Sequence, residues 1–382
     1  MKKIVMISNN LFLGGITSYL ITLSKYLCDY GYDITLLYHK ADEKCLALFC
    51  PKIHLVQMPE LNKFIVVSKI IFSRYCMRFI SACLQKDRLR MTQIYSYTKA
   101  KLGKRITEIY DLAISSEEFY CNAFVASGRI SAKKRIGWIH PDYKSIHPVK
   151  DIDYRVFSQL DKVVVVSESN KKILQEEFPE MRMKFEYIEN LLDESKIISA
   201  SKEKVTDWNN EFNGLNIITV CRLDNSSKRV DRIVNCCEYF KKQGLNFTWH
   251  IIGDGKDRGI IEQLICEKEV QQEIVLHGKK ENPYPYIAKA DVFILTSQYE
   301  GKPISVEEAK ILKCPVIVTD YKSASEQVPK EFGAIINNKD ETIAKEIYEL
   351  LCTEGLQIWK QNLADYKFDR EDALIAIKQL VD

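Results

Sequence analysis

Two carboxylates eight positions apart, Glu300 and Glu308, lie in "SQYEGKPISVEEAKILKCPVIVTD" (297–320), where a strand, a turn and a helix should succeed one another. The run "ADVFILTS" before them is apolar and β-branched enough for a buried strand. "CPVIVTD" supplies a second one about eighteen residues on, the length of a right-handed βαβ crossover. Loops at the carboxyl ends of such strands are where open α/β sheets meet ligands. Glu300 falls in that loop and Glu308 about two turns into the helix, and both can accept hydrogen bonds from hydroxyl groups. The backbone N–H groups of Gly301, Lys302 and their neighbour Ile304 stand at the helix start, where the dipole favours an anion. Pro303 suits the first turn, which has no use for its missing N–H. Glu307 reads as a simple complement to the dipole.

A second group of charges follows the strand "IITVC": Arg222 and Lys228, in a loop and at a helix start. A guanidinium fork and an ammonium can neutralise a leaving diphosphate as its charge grows, without proton transfer. Positive charge at a helix start opposes the dipole, so these residues require a counter-charge. Gly14 and Gly15 allow close backbone approach at the first turn of the chain, and His140 in "GWIHPDY" ends a predicted strand. His250, His277 and Asp254 have no metal-cluster spacing, so no metal is expected. The twelve cysteines are scattered singly through apolar patterns apart from the adjacent Cys236 and Cys237, with no CxxC, and read as buried thiols in a reducing compartment.

The elements that must hold these residues alternate. "KIVMIS", a glycine turn, the helix "ITSYLITLSKYLCDYG" ended by Gly31, and "DITLLYH" form a βαβ unit. After "IHLVQM" and a long helical stretch, 62–105, the alternation resumes through "YDLAISS", "KRIGWIH" and "KVVVVS". A polar stretch, "ESKIISASKEKVTDWNNEFNG", reads as a connection, and the alternation then restarts with "NIITVCR", "FTWHIIG" and "EIVLHG". Such a pattern predicts α/β architecture with two Rossmann-like, doubly wound domains facing across a cleft. The expected division is 1–193, 194–365 and a carboxy-terminal helix over 366–382 that can return to the first domain. With 382 residues, 46% hydrophobic and 28% charged, the chain has ordinary globular composition. A net charge of +3 argues for no nucleic-acid partner. The opening apolar run is too short for a signal peptide, and no segment reaches the roughly eighteen apolar residues of a membrane span.

Taken in order, "NLFLGGITSYL", "GWIHPDY", "VVVVSESNKKIL", "YIENLLD", "VCRLDNSSKRVDRIV", "IIGDGKDRGIIEQL" and "VLHGKKENPYPYIAKADVFILTSQYEGKPISVEEAK" resemble the retaining, nucleotide-sugar-dependent glycosyltransferases of family 4, along essentially the whole chain. The family has the GT-B fold. Its E-x7-E signature corresponds to Glu300 and Glu308, and the resemblance implies that Glu300 binds the donor sugar, Glu308 the ribose, and Arg222 and Lys228 the diphosphate. It also implies a place for Gly14 and Gly15 over the donor phosphates and the acceptor, and for His140 near the transferred sugar. Two departures stand out: Arg229 replaces the glycine that commonly follows the lysine, and "EGKP" is shorter than the glycine-bearing run of many members. Asn190 and Asp193 match an interdomain segment and read as a hinge. The expectation is transfer of a sugar from a nucleoside diphosphate, UDP favoured, to a saccharide or lipid-linked saccharide acceptor of an envelope polysaccharide, with no cofactor and no metal.

Two rival classes are weighed. A dinucleotide oxidoreductase would use Gly253, Gly255 and Gly259, but their spacing is GxGxxxG and the acid due at the end of the next strand is absent. A scaffold or regulatory subunit that kept the fold with weak catalysis is countered by Arg222, Lys228, Glu300 and Glu308 occurring together. The stretch 62–105 holds eleven Lys or Arg and one acid, Asp87, among large apolar residues. Weighed against a pair of core-covering helices whose charged face is simply solvated, it predicts contact with an anionic membrane surface. With the reducing compartment read from the cysteines, the expected location is the cytoplasm, peripheral on the inner face of the plasma membrane.

Overall fold

A computed structural model describes residues 1–209 and 211–382. The chain forms two compact units, Met1–Leu192 with Arg370–Asp382, and Asp193–Asp369. Each is a parallel sheet between helical layers, and together they make the two-domain α/β fold expected.

In the first unit seven strands run β1 (Lys3–Leu11), β2 (Asp33–Ala41), β3 (His54–Gln57), β4 (Ile106–Ser115), β5 (Ile130–Ile139), β6 (Lys162–Val165) and β7 (Phe185–Tyr187). Their order across the sheet is β3-β2-β1-β4-β5-β6-β7, all parallel. Buried on both faces, the inner strands are continuous apolar runs, as Ile4, Val5, Met6 and Ile7 are in β1. The helix Gly15–Asp29 lays Tyr19, Leu20, Leu23 and Leu27 on the sheet and stops where Gly31 takes a left-handed φ of 88°.

The helical stretch is three helices, Lys63–Ile71, Cys76–Leu84 and Arg88–Leu102. Asn62 caps the first through the Phe64 N–H at 2.8 Å, and Asp87 caps the third through the Arg90 N–H at 3.0 Å. The final helix, Glu371–Val381, belongs to this unit: it buries Ala373, Ile377 and Leu380, and Lys134 Nζ donates to the Leu380 carbonyl at 2.6 Å.

The second unit carries β8 (Leu215–Val220), β9 (Phe247–Ile252), β10 (Ile274–Gly278), β11 (Val292–Leu295), β12 (Val316–Thr319) and β13 (Gly333–Ile336), ordered β10-β9-β8-β11-β12-β13 and all parallel. In both sheets the strand order reverses between a first and a fourth strand, β1 and β4, then β8 and β11. Ligands of open α/β sheets collect at such switch points. The topology therefore brings the loop holding Arg222 and Lys228 beside the loop holding Glu300.

The stretch expected as a connection is instead built into the second unit. It contains the helix Glu194–Ala200, and Trp208 stacks on His250 with centroids 3.8 Å apart. Asp207 accepts from Tyr286 and Lys280, each at 2.6 Å, and lies 3.1 Å from His277 Nδ1. An aromatic and an acid inside a polar run were enough to dock it. His250 and His277 thus join each other, at 2.9 Å, and Asp207. Among the described residues no cluster has the makeup of a metal site.

Candidate active site

At the switch point of the second sheet, Lys228 and Glu300 form an ion pair, and Ser297 Oγ donates to the same Glu300 oxygen at 2.6 Å. The counter-charge that Lys228 needs at a helix start is therefore Glu300 itself. The two loops are tied through the backbone as well, since Gln298 N–H donates to the Ser227 carbonyl at 2.8 Å and Thr296 Oγ1 to the Arg229 carbonyl at 3.1 Å.

Arg229 caps the helix Val230–Lys242 in left-handed conformation, φ 50° and ψ 50°. A non-glycine residue there costs about 1–2 kcal/mol. Its guanidinium is clamped by Asp231 at 2.9 and 3.0 Å and by Asp340 at 2.7 Å. Beneath it the buried Arg232 donates to Asp340, Asn338, Gln298 and the Thr296 carbonyl, at 2.6 to 3.0 Å. This network holds the backbone on either side of Lys228, and nothing in the sequence pattern marked Asn338 or Asp340.

Arg222 stands apart from that pair. Its side chain is 69% exposed, and its Nε is 3.9 Å from Asp224 Oδ2. Burial pushes the Asp224 carboxyl up, but bonds from Ser226 and Lys256 outweigh it and leave the group below its ordinary value. Two of the three glycines weighed as a dinucleotide fingerprint, Gly253 and Gly255, serve this loop. A Cβ on Gly253 would stand 1.8 Å from the Cys221 carbonyl oxygen and one on Gly255 2.3 Å from that of Leu223. The close approach lets Cys221 and Leu223 N–H groups bond to Ile252 and Asp254 carbonyls, at 3.0 and 3.1 Å.

The helix after Glu300 is Ile304–Ile311, so Pro303 is its N-cap and not part of the first turn, and Glu308 lies about one turn in, not two. Gly301, Lys302 and Pro303 are buried and Ile304 is half-buried. Gln327 fixes the cap by donating to the Pro303 carbonyl at 2.8 Å. Glu308 is buried with a bond from Tyr284 Oη at 3.1 Å, and burial pushes its carboxyl up to about 7. Tyr284 was not foreseen. Glu307 stands in the first turn, where an acid complements the dipole, and does more than that: it is buried, 3.0 Å from Lys310 and bonded to Tyr366, so it also ties the helix to the segment before residue 370.

In the first unit Gly14 is extended, at φ 166°, and caps the helix starting at Gly15 without a side-chain bond. His140 follows β5. Its Nε2 lies 2.9 Å from the Ser116 carbonyl, so it carries the proton and Nδ1 keeps a lone pair. Burial lowers its pKa to about 4, and the ring is neutral at pH 7. It can accept a bond but not supply a charge. Beside it lies an unforeseen pair, Glu117 and Glu118, at the end of β4. Glu117 accepts from the Asn9 N–H at 2.7 Å. Glu118 is raised to about 7, first by burial and then by Glu117, and its Oε2 has no partner. Adjacent acids after a strand, "SSEEF", were the signal available.

Two parallel sheets, each with loops at a switch point and one of them carrying a Lys–Glu pair, define a two-domain α/β architecture. Residues 202–364 match the family described as glycosyl transferases group 1. The chain is 23% identical to the amylovoran biosynthesis glycosyltransferase AmsD of Erwinia amylovora, over 96% of this chain and 95% of that protein. It is 25% identical to a Campylobacter jejuni protein named N-acetylgalactosamine-N,N'-diacetylbacillosaminyl-diphospho-undecaprenol 4-alpha-N-acetylgalactosaminyltransferase, but over only 49% of each. A crystal structure of Staphylococcus aureus TarM in complex with fondaparinux, alpha-GlcNAc-glycerol and UDP superposes with a TM-score of 0.71 at 15% identity, covering all of both chains. The fold is GT-B, and the match to the glycosyl transferases group 1 family lies in the second unit.

Proposed function

We propose that the protein is a retaining glycosyltransferase that moves a sugar from a nucleoside diphosphate, with UDP the favoured nucleotide, to a hydroxyl of a lipid-linked or envelope-polysaccharide acceptor. The observation that carries this reading is the Lys228–Glu300 pair at the switch point of the unit matched to the family. The TarM complex contains UDP, and the Campylobacter relative is named for an alpha linkage on a diphospho-undecaprenol acceptor. Both support the choice of donor and acceptor.

In the proposed reaction Lys228 exchanges part of its bond with Glu300 for the diphosphate, and the exposed Arg222 closes on the same anion. Glu300, released, accepts from the donor sugar, and Glu308 accepts from the ribose. The bond from the anomeric carbon to the diphosphate breaks as the acceptor oxygen bonds to that carbon on the same face. The acceptor proton passes to the leaving phosphate oxygen. His140, neutral, accepts a sugar hydroxyl bond through Nδ1. No side-chain nucleophile and no metal is assigned a step.

The test is a panel of sugar nucleotides followed by mass analysis of the products, with EDTA present. Release of UDP or GDP that is lost in Lys228→Ala supports the reading. A protein that shows ligand-induced melting shifts with none of the nucleotides, and no turnover, would be a scaffold with this fold instead.

A further inference from the structure

Among the described residues 21 large hydrophobic side chains stand exposed, and seven of these fall within the 21 residues 64–84: Phe64, Ile65, Ile71, Phe72, Met77, Ile80 and Leu84. Phe64 and Phe72 are 85% and 89% exposed, Leu84 79% and Met77 74%. The spacing is helical. Phe64, Ile71 and Phe72 recur at i, i+7 and i+8, and Met77, Ile80 and Leu84 at i, i+3 and i+7, so each forms one stripe. Both helices, Lys63–Ile71 and Cys76–Leu84, pack on the helix Arg88–Leu102, burying Val66, Ile70 and Ala82. The apolar stripes are thus the faces left over after the fold is complete, and so dense a patch is a binding surface rather than ordinary surface variation.

Eight of the eleven cations in 62–105 fall into two sets. Lys99 is buried and paired with Glu60 at 3.7 Å, Lys101 lies 4.7 Å over the Tyr97 ring, Arg74 donates to Tyr75 at 2.7 Å, and Arg78 pairs with Asp151 at 2.6 Å. These serve the fold. Lys63, Lys69, Lys86 and Arg88 are exposed and, among the described residues, make no ion pair. The one acid within 62–105, Asp87, is spent on capping and on Arg90, and the neighbouring Glu60 and Asp151 are paired with Lys99 and Arg78. Unpaired cations around protruding apolar side chains complement an anionic, apolar-centred surface.

We propose that the two helices Lys63–Ile71 and Cys76–Leu84 dock on an anionic lipid bilayer, with Phe64, Phe72, Met77 and Leu84 entering the interface and Lys63, Lys69, Lys86 and Arg88 meeting the headgroups. This narrows the surface expected from the sequence to the first half of that stretch and excludes the helix Arg88–Leu102 beyond its first residue. The inference rests on the glycosyltransferase reading only for its purpose, access to a lipid-linked acceptor.

The experiment is co-sedimentation of the full chain with vesicles of phosphatidylglycerol and phosphatidylcholine, against phosphatidylcholine alone, with no donor or acceptor added. Its failure is therefore separate from failure of the transfer reaction. Wild type should bind the anionic vesicles, at least tenfold more weakly in high salt. A Phe64→Ser, Phe72→Ser, Leu84→Ser variant should lose at least tenfold in affinity while melting as wild type does, because the side chains removed are exposed. Lys63→Glu with Lys69→Glu should lose the preference for anionic lipid. Wild type left in the supernatant at low salt with lipid in excess overturns the proposal, as does equal binding by the serine variant. A concentration-dependent dimer abolished by the serine variant, without vesicle binding, would assign the face to a second copy of the chain and overturn it too.

Discussion

Glu308 offers a quantitative test of the donor site, because burial raises its carboxyl to about 7 while its proposed task, accepting bonds from ribose hydroxyls, favours the anion. If only the ionised form binds, the apparent Kd scales as one plus ten to the power of the pKa minus the pH. The affinity should then be about fivefold weaker at pH 6 than at pH 7, about 1 kcal/mol, and about twofold tighter at pH 8. About half a proton should be released per ligand bound at pH 7, which calorimetry in buffers of different ionisation enthalpy measures directly. The ligand must be a sugar nucleotide, whose diphosphate diester does not titrate in this range, and not UDP itself. Glu308→Gln should flatten the profile and weaken binding about tenfold at pH 8. A flat wild-type profile from pH 6 to 8, or a slope that persists in the glutamine variant, would remove Glu308 from the ribose.

Other consequences follow from individual contacts. Arg229→Gly relieves the left-handed backbone that Arg229→Ala retains, and both lose the bonds to Asp231 and Asp340; the glycine variant should be the more stable by about 1 kcal/mol in urea unfolding. The reverse order would mean that the backbone there carries no strain. Burial lowers His250 to about 4, so between that value and 6.5 the folded protein binds fewer protons than the unfolded chain and stability falls as pH drops. His250→Gln should make the acid limb of the melting curve shallower, while His140, His277 and His39, all lowered by burial, continue to contribute to it. Tyr366→Phe takes a bond from the buried Glu307 and should cost about 1–2 kcal/mol by urea unfolding; an unchanged midpoint would deny Tyr366 its anchoring role. Finally, alanine at His140 should reduce turnover and leave nucleotide affinity intact, a split that calorimetry and product release read separately.

The sequence made the site legible where chemistry and topology coincide. Strand alternation placed Lys228 and Glu300 in loops that follow strands, and the counter-charge expected for Lys228 is supplied by Glu300. What stayed hidden depends on distances along the chain that no local pattern spans. Tyr284 reaches Glu308 across 24 residues and Asp340 reaches Arg232 across 108. Burial is also invisible locally: nothing in "SSEEF" or "GWIHPDY" says that Glu118 and His140 are desolvated, and desolvation sets the charge each one carries. Trp208 and Asp207 show the opposite failure, a polar stretch read as a linker because its two docking residues were outvoted by their neighbours.

The placement of Glu371–Val381 on the first unit has a consequence for biosynthesis. A ribosome delivers residues in order, so the whole of Asp193–Asp369 emerges before the last piece of the first unit does. The second unit can complete itself early, while the first waits, its Lys134 without the Leu380 carbonyl and the partners of Ala373 and Ile377 uncovered. During that interval the nascent chain holds a finished second unit beside an unfinished first one. A stalled or truncated product lacking the final helix would present a folded second unit and an incompletely covered first one, a species for chaperones or proteases to recognise.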